Sequence, residues 1–372
     1  GSQDESIWTV AKRYGTTLPH LCYSDKPGYR ADGNCRACMV SVEGERVLAA
    51  SCIRTPSEGM KVYTKDERSS KSREMVIELL VTDQPKKEIC HDPDSHFWQM
   101  ADKVNVKKSR FDKRNPETIP EADNSHVAMS VNLDACINCN LCVRACREVQ
   151  VNDVIGMGNR GHTSQVIFDF NDPMGDSTCV SCGECVQACP TGALMESNLL
   201  DEKGKKVVKP DRKVDSLCPY CGVGCQLTYN IKGEKIVSVD GRDGPANNNR
   251  LCVKGRFGFD YIHNPERLTK PLIRKDGIPK DPKERIDPLN PLSHFREATW
   301  DEALDLAASK LLKIRDSKNG KKALAGFGCA KGSNEEAYLF QKLVRTGFHN
   351  NNVDHCTRMC HASSVAALME AI

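Results

Sequence analysis

Sixteen of the twenty cysteines in this 372-residue chain fall into four groups of four. The first is Cys22, Cys35, Cys38 and Cys52, spaced C-x12-C-x2-C-x13-C. The second, Cys136, Cys139, Cys142 and Cys146, is spaced C-x2-C-x2-C-x3-C. The third, Cys179, Cys182, Cys185 and Cys189, repeats that spacing and is followed by Pro190. The fourth is Cys218, Cys221, Cys225 and Cys252, spaced C-x2-C-x3-C-x26-C. Thiolates at such intervals bind iron–sulfur clusters or zinc. A triplet with a fourth cysteine three residues on suits a cubane cluster, whereas zinc usually takes paired C-x2-C knuckles. Cys90, Cys329, Cys356 and Cys360 stand outside the groups.

The elements that would carry these cysteines are short. Ser6–Tyr14 reads as a helix, and 37–43, 46–51 and 61–64 read as strands around the first group. Gly28, Gly33 and Asn34 let the loop between Cys22 and Cys35 wrap a cluster. A helix is expected over Ser69–Val81. A hairpin of Leu227–Ile231 and Lys235–Val239, turning at 232–234, would return Cys252 to the rest of its group. The stretch after Arg267, rich in Pro and Lys, reads as an irregular linker. An α/β pattern follows: a helix over Trp300–Leu312 with Thr299 and Glu302 as a capping box, then a buried strand at 323–328. Gly326, Gly328 and Gly332 make a turn, and Ser333 or Asn334 starts the next helix. A strand, glycines and a helix N-terminus can cradle a phosphate, although such glycines alone often only make a tight turn.

Composition narrows the classes. The 53 Lys+Arg against 50 Asp+Glu give a net charge of +3, which offers no general case for nucleic acid or an anionic membrane surface. No apolar run approaches the ~20 residues of a membrane span. The opening GSQDESIWTV has no export-signal pattern, so a cytoplasmic location is expected. In such a chain, cysteines point to metal or redox chemistry rather than to disulfides. The length suggests two or three domains.

The second and third groups resemble the bacterial ferredoxin motif, which binds two 4Fe–4S clusters and sends the fourth cysteine of each run to the other cluster. The resemblance assigns Cys136, Cys139, Cys142 and Cys189 to one cluster, and Cys179, Cys182, Cys185 and Cys146 to the other. Arg147 stands where the motif has Pro. The first group resembles the N-terminal 2Fe–2S domain of the large peripheral subunit of respiratory NADH dehydrogenase and of related hydrogenases; zinc remains the alternative on spacing alone. Relatives with that N-terminus continue with a His and three Cys around a further cluster. Here QPKKEICHDPDSHFWQM keeps Cys90, His91 and His96 but lacks two thiols, so that cluster is expected to be absent. Cys90 is then a packing residue, and the histidines surface or capping groups.

The blocks CPYCGVGC and LCVKGRFG resemble the N-terminal 4Fe–4S domain of molybdenum or tungsten bis-pterin oxidoreductases. Lys254 matches the lysine that lies between cluster and pterin in that family. NNVDHCTRMCHASSVAALMEAI resembles the active-site segment of metal-dependent formate dehydrogenases, in which a Cys or selenocysteine ligates the metal and His follows it. Cys360 and His361 match that pair, as metal ligand and proton-handling group. Cys356 is the alternative ligand. Cys329 is expected to be buried packing. In this context the glycine-rich turn, with Gly328, Gly332, Ser333 and Asn334, is a candidate contact for the pterin nucleotide.

The resemblance implies an α+β multidomain chain. A β-grasp 2Fe–2S ferredoxin-like domain spans 1–66, and a helical region with the degenerate His/Cys site spans 67–127. A ferredoxin domain with two 4Fe–4S clusters spans 128–210, and a β-rich 4Fe–4S domain spans 211–268. A linker and the start of an α/β bis-pterin-binding catalytic domain occupy 269–372. The function implied is that of the catalytic α subunit of an NAD-linked formate dehydrogenase. Formate would be oxidised to CO2, reversibly in many relatives, at molybdenum or tungsten held by a bis-molybdopterin guanine dinucleotide. One 2Fe–2S and three 4Fe–4S clusters would carry electrons to a flavin- and NAD-binding partner subunit in a hetero-oligomer. Family members run for several hundred residues past this active-site helix, so a longer chain or a second polypeptide is expected to complete the pterin site. The alternatives are an electron-transfer subunit of an NADH dehydrogenase or hydrogenase-like complex without its own Mo/W chemistry, an iron–iron hydrogenase, and a zinc scaffold.

Overall fold

The computed structural model describes residues 5–113, 119–281, 283–356 and 361–371. They form two compact units, Gly1–Ser216 with Cys225–Phe257, and Leu217–Gly224 with Gly258–Ile372. Among the described residues no helix is long and apolar enough to cross a membrane.

The first unit opens with helix α1 (Ile7–Arg13), capped by Ser6, whose side chain accepts from the Thr9 amide. Strands β1 (Met39–Val42), β2 (Ala49–Ala50) and β3 (Val62–Tyr63) form an antiparallel sheet in the order β2-β1-β3. Val40 and Val42 point inward, as the alternation in sequence requires. Val40 joins Trp8, Leu18, Cys38 and Cys52 in one core cluster. Burying such a valine is worth about 1.5–3 kcal/mol, so this small core holds the cysteines it contains. Helix α2 (Glu67–Thr82) starts two residues before the expected position because Asp66 caps it. Arg73 ties α2 to the sheet through the carbonyls of Met39 and Thr64, each at 2.7 Å. Helix α3 (His96–Lys103) packs beneath, burying Phe97 and Trp98.

The next segment is built on two paired elements. Strand β4 (Met129–Val131) leads to helix α4 (Leu141–Arg144), which continues as a π-helical turn, Ala145–Val149. Strands β5 (Ile155–Gly158) and β6 (Gln165–Phe168) make a hairpin; helix α5 (Glu184–Ala188) and strand β7 (Leu194–Glu196) follow. β7 returns to pair antiparallel with β4, so both ends of the segment meet.

Strands β8 (Arg212–Leu217), β9 (Gln226–Lys232) and β10 (Lys235–Gly241) form a sheet in the order β10-β9-β8. The expected hairpin is β9–β10, longer than the sequence indicated. Its turn is only two residues, with Gly233 in the left-handed region at φ +57°. Helix α6 (Val253–Phe257) closes this unit.

In the second unit the expected irregular linker is only partly irregular. Strand β11 (Leu272–Arg274) pairs with β12 (Phe295–Glu297). Helix α7 (Trp300–Arg315) has Thr299 as N-cap. The Glu302 half of the expected box goes elsewhere, because its carboxylate takes the Arg296 guanidinium. A full capping box forms instead at Ser333 and Glu336, at the start of helix α8 (Asn334–Lys342). Strand β13 (Gly326–Gly328) pairs in parallel with β14 (Val353–His355), and helix α9 (Ala362–Ala371) is the last described element. This parallel pair with its helices is an α/β arrangement, and the whole is a multidomain α+β architecture.

Candidate metal centres and cofactor cavity

The first cysteine group converges in the N-terminal core. The side chains of Cys35 and Cys52 interact with that of Cys22, and Cys52 also with Cys38. These contacts hold Cys22 and Cys38 low, Cys38 at about 6, and push Cys35 and Cys52 up. The backbone amide of Cys35 donates to Cys22 Sγ at 3.4 Å, and that of Ala37 to Cys35 Sγ at 3.5 Å. Four thiols brought together, with amides aimed at the sulfurs, suit an anionic thiolate-bound centre.

The second and third groups are built on one template. Asn138 and Asn140 in the first run, and Ser181 and Gly183 in the second, take left-handed φ at the same two positions. Asn138 N–H donates to Cys136 Sγ and Ser181 N–H to Cys179 Sγ, each at 3.4 Å. Each run then enters a short helix, α4 or α5. The fourth cysteines cross over. Cys136, Cys139, Cys142 and Cys189 wall one small apolar cavity. Burial, and then the charges of Cys139, Cys136 and Cys189, push the Cys142 thiol well up. In the other set, burial and then Cys182, Cys179 and Cys146 do the same to Cys185. Cys182 is pushed up to about 11 by burial first, with Cys146 contributing. Buried thiols this hard to ionise would gain from a positive centre that stabilises the thiolate. Among the described residues, no set of three or more His, Cys, Asp and Glu side chains is drawn around a single-ion position.

Two buried arginines, which the sequence did not single out, hold these runs. Arg144, 2% exposed, donates to the carbonyls of Cys22 at 2.6 Å and Cys139 at 3.3 Å, and also to that of Arg30. Arg256, 1% exposed, donates to the carbonyls of Cys182 at 3.3 Å and Val239 at 3.0 Å, and to the Gln187 side chain at 2.6 Å. Glu184 lies 3.4 Å from Arg256 and accepts from the Tyr29 hydroxyl at 2.9 Å.

The fourth group is divided: Cys218 and Cys221 belong to the second unit, Cys225 and Cys252 to the first. Cys218 is buried, Cys225 half-buried, and Cys221 and Cys252 exposed. Lys254 is an exposed residue of α6.

Around Cys90 the reading of the histidines changes. Cys90 is buried among Ile77, Val81, Phe97 and Trp98, which is a packing position. The histidines, however, are neither surface nor capping groups. His91 faces the Asp134 carboxylate at 2.8 Å and the Gly204 carbonyl at 2.8 Å. Burial opposes its charged form, but Asp134 and the carbonyl outweigh burial and raise its pKa. His96 Nε2 meets the His20 carbonyl at 2.8 Å, and its ring lies 4.6 Å from that of His20. Both are internal ties, with Ser95 rather than His96 capping α3.

In the second unit, β13, β14 and the start of α8 surround a cavity of about 720 Å³. All four residues singled out in the sequence, Gly328, Gly332, Ser333 and Asn334, line it. Asn334 Nδ2 donates to the Gly222 carbonyl at 2.9 Å, which fixes the helix start against the 217–224 segment of the same unit. Cys329 also lines the cavity and is exposed, not buried packing as expected, because it sits in the turn after β13. Cys360 lies outside the described residues. His361 is exposed and its carbonyl accepts from Val365 at 2.8 Å, at the start of α9. Cys356 is half-buried.

Four family models match in succession. They are a 2Fe-2S iron-sulfur cluster binding domain over 1–67, a 4Fe-4S dicluster domain over 135–193, a molybdopterin oxidoreductase Fe4S4 domain over 211–264, and molybdopterin oxidoreductase over 267–371. The chain is a molybdopterin-oxidoreductase and iron–sulfur domain protein, related to formate dehydrogenase-like proteins. Its models indicate one 2Fe–2S-binding module and several that bind 4Fe–4S clusters. A Staphylococcus haemolyticus protein named "Putative formate dehydrogenase" is 30% identical over 99% of this chain and 39% of its own length. A Bacillus subtilis protein named "Probable oxidoreductase YjgC" is 30% identical over 100% of this chain and 39% of its own length. This molybdopterin-oxidoreductase chain therefore spans about two fifths of the curated relatives it matches. Among solved structures, a chain of an NAD+-reducing [NiFe]-hydrogenase in the H2-reduced state aligns with a TM-score of 0.45 and 26% identity, over 52% of this chain and 80% of that one.

Proposed function

We propose that this chain is the N-terminal portion of the catalytic α subunit of an NAD-linked formate dehydrogenase. The observation that carries the reading is the crossed convergence of the two cysteine runs, together with the cavity lined by Gly328, Gly332, Ser333 and Asn334. When bound, the metal–pterin centre supplies the two-electron oxidation of formate to CO2, and the clusters supply one-electron relay to a flavin- and NAD-binding partner subunit.

The chain's own residues hold and insulate. Cys22, Cys35, Cys38 and Cys52 hold a 2Fe–2S cluster. Cys136, Cys139, Cys142 and Cys189 hold one 4Fe–4S cluster, and Cys179, Cys182, Cys185 and Cys146 the next. By sequence, Cys218, Cys221, Cys225 and Cys252 are assigned a third, with Lys254 the charge that relatives place beside the pterin. Gly328, Gly332, Ser333 and Asn334 offer glycine backbone and a helix N-terminus to the nucleotide. Cys360 ligates the metal as a soft thiolate, and His361 takes the formate-derived proton.

Metal, sulfide and pterin analysis of the intact complex, coupled to formate-dependent dye reduction, tests the reading. Stoichiometric Mo or W with dye reduction is expected, and Cys360→Ser should abolish the reduction while leaving the iron–sulfur spectrum in place. Iron and sulfide without Mo or W would replace the reading with that of an electron-transfer subunit.

A further inference from the structure

The Arg144 guanidinium sits in the wall between two cysteine sets. One nitrogen, Nη2, reaches the carbonyls of both Cys22 and Cys139, residues 117 apart in sequence. Cys22 and Cys139 pack in one buried cluster with Leu141. The countercharge is lopsided. Asp32 lies 3.2 Å from Arg144 Nε, but it is 11% exposed and also takes Arg30, which itself turns to Glu148. A fixed buried cation thus touches the backbone of a ligand loop from each set, with a partly solvated carboxylate on one side.

We propose that Arg144 is a positioning residue for electron transfer, holding the Cys22 and Cys139 loops together and raising the reduction potentials of the two centres they serve. The inference rests on the cluster assignments proposed above. Its physical basis is that reduction adds one negative charge to a centre. A cation held close in a low-dielectric wall favours that form, and outer hydrogen bonds and burial are among the levers a protein has over such potentials. Arg256 marks the contrast. It donates to the Cys182 carbonyl, the repeat equivalent of Cys139, but Glu184, itself 1% exposed, stands against it. That countercharge is as buried as its cation, whereas Asp32 at Arg144 is partly exposed and shared with Arg30.

The test is a potentiometric titration of the cluster-loaded chain followed by electron paramagnetic resonance. Arg144→Gln is expected to move the 2Fe–2S centre and the Cys136-set centre to more negative potentials. The oxidised-to-reduced ratio at fixed potential should change roughly tenfold, ~59 mV for a one-electron couple. The Cys179-set centre should stay in place. Arg144→Lys, which keeps the charge, should retain most of the potential. Asp32→Asn, which removes the countercharge without emptying the wall, should shift the same two centres the opposite way; it also covers the case in which Arg144→Gln fails to fold. Unchanged potentials in Asp32→Asn, or equal shifts of all three centres, would overturn the proposal. Iron and sulfide counts on the unsubstituted chain separate this from failure of the assignments: without clusters at these cysteines, the functional reading falls first.

Discussion

Cys139 and Cys182 occupy the same place in their runs, and each gives its carbonyl to a buried arginine. One arginine comes from inside the first run, two residues past Cys142; the other is Arg256, from the α6 segment far down the chain. At the place where the first run has Arg144 the second has Gln187, which receives Arg256 and the Gly241 amide. The runs therefore share a ligand frame and differ in what they face outward. The first reaches for the N-terminal domain, and the second is reached by the hairpin segment that follows. A repeated motif keeps its internal geometry through its left-handed residues and its thiols, while single side-chain changes between the copies decide which neighbour each one docks.

The sharpest way to break this comparison is to exchange a fourth cysteine. Cys189→Ser, although it lies in the second run, should remove the cluster of the first. Iron analysis would fall by up to about four atoms per chain, with the spectrum of the Cys179 set retained. Loss of the Cys179-set signal instead would mean the runs do not cross. Next in size is Arg256→Met, which removes the buried cation beside Glu184 and leaves that carboxylate its hydrogen bond from Tyr29. It should cost about 3–5 kcal/mol in denaturant unfolding of the loaded protein, and Asp32→Asn at the wetter junction much less.

A third measurement sharpens the contrast between the strands flanking the two runs. β4 buries Met129 where its partner β7 buries Glu196. Burial raises Glu196 from its ordinary 4.5 to about 7, against the pull of Arg256, and among the described residues its Oε2 has no hydrogen-bond partner. Because the folded value lies above the unfolded one, its contribution is whole below pH 4.5 and lost as the pH rises through about 7. Glu196→Gln, neutral at every pH, should match the parent near pH 4 and exceed its stability by roughly 2–3 kcal/mol at pH 8. A difference that does not vary with pH would place the carboxylate in a less costly setting. The smallest effects belong to the second unit, whose helices α7 and α8 bury no residue. Ser333→Ala should cost about 1 kcal/mol through loss of its cap, and Cys329→Ala should stay within about 0.5 kcal/mol by thermal unfolding.

Much of this frame was legible in the residues. Cysteine spacing is a local signal, and so are caps: Ser6, Thr299 and Ser333 each start a helix where the sequence places one. The β9–β10 hairpin follows from alternation and a glycine turn. The unread parts depend on distant partners. β8 has almost no buried side chain, so its sequence carries no apolar alternation, and pairing with β9 alone defines it. β11 and β12 find each other across twenty residues of Pro- and Lys-rich chain. His91 looked like a surface group because nothing nearby in sequence announces Asp134 or Gly204. Nothing in the sequence singles out Arg144 and Arg256, since arginines are seldom fully buried unless paired; the one available signal is that Arg144 stands where the second run has Gln187.

The pairing of β4 with β7 and the crossing of the fourth cysteines have a consequence for synthesis. When the ribosome has made the first run complete, the cavity around Cys136, Cys139 and Cys142 still lacks the wall that Cys189 provides. That compartment stays open until the second run has been translated, and Cys146 waits through the same interval for its own set. The two compartments therefore close within a few residues of each other during translation, and a nascent chain halted between the runs presents four of the eight thiols, with neither set complete.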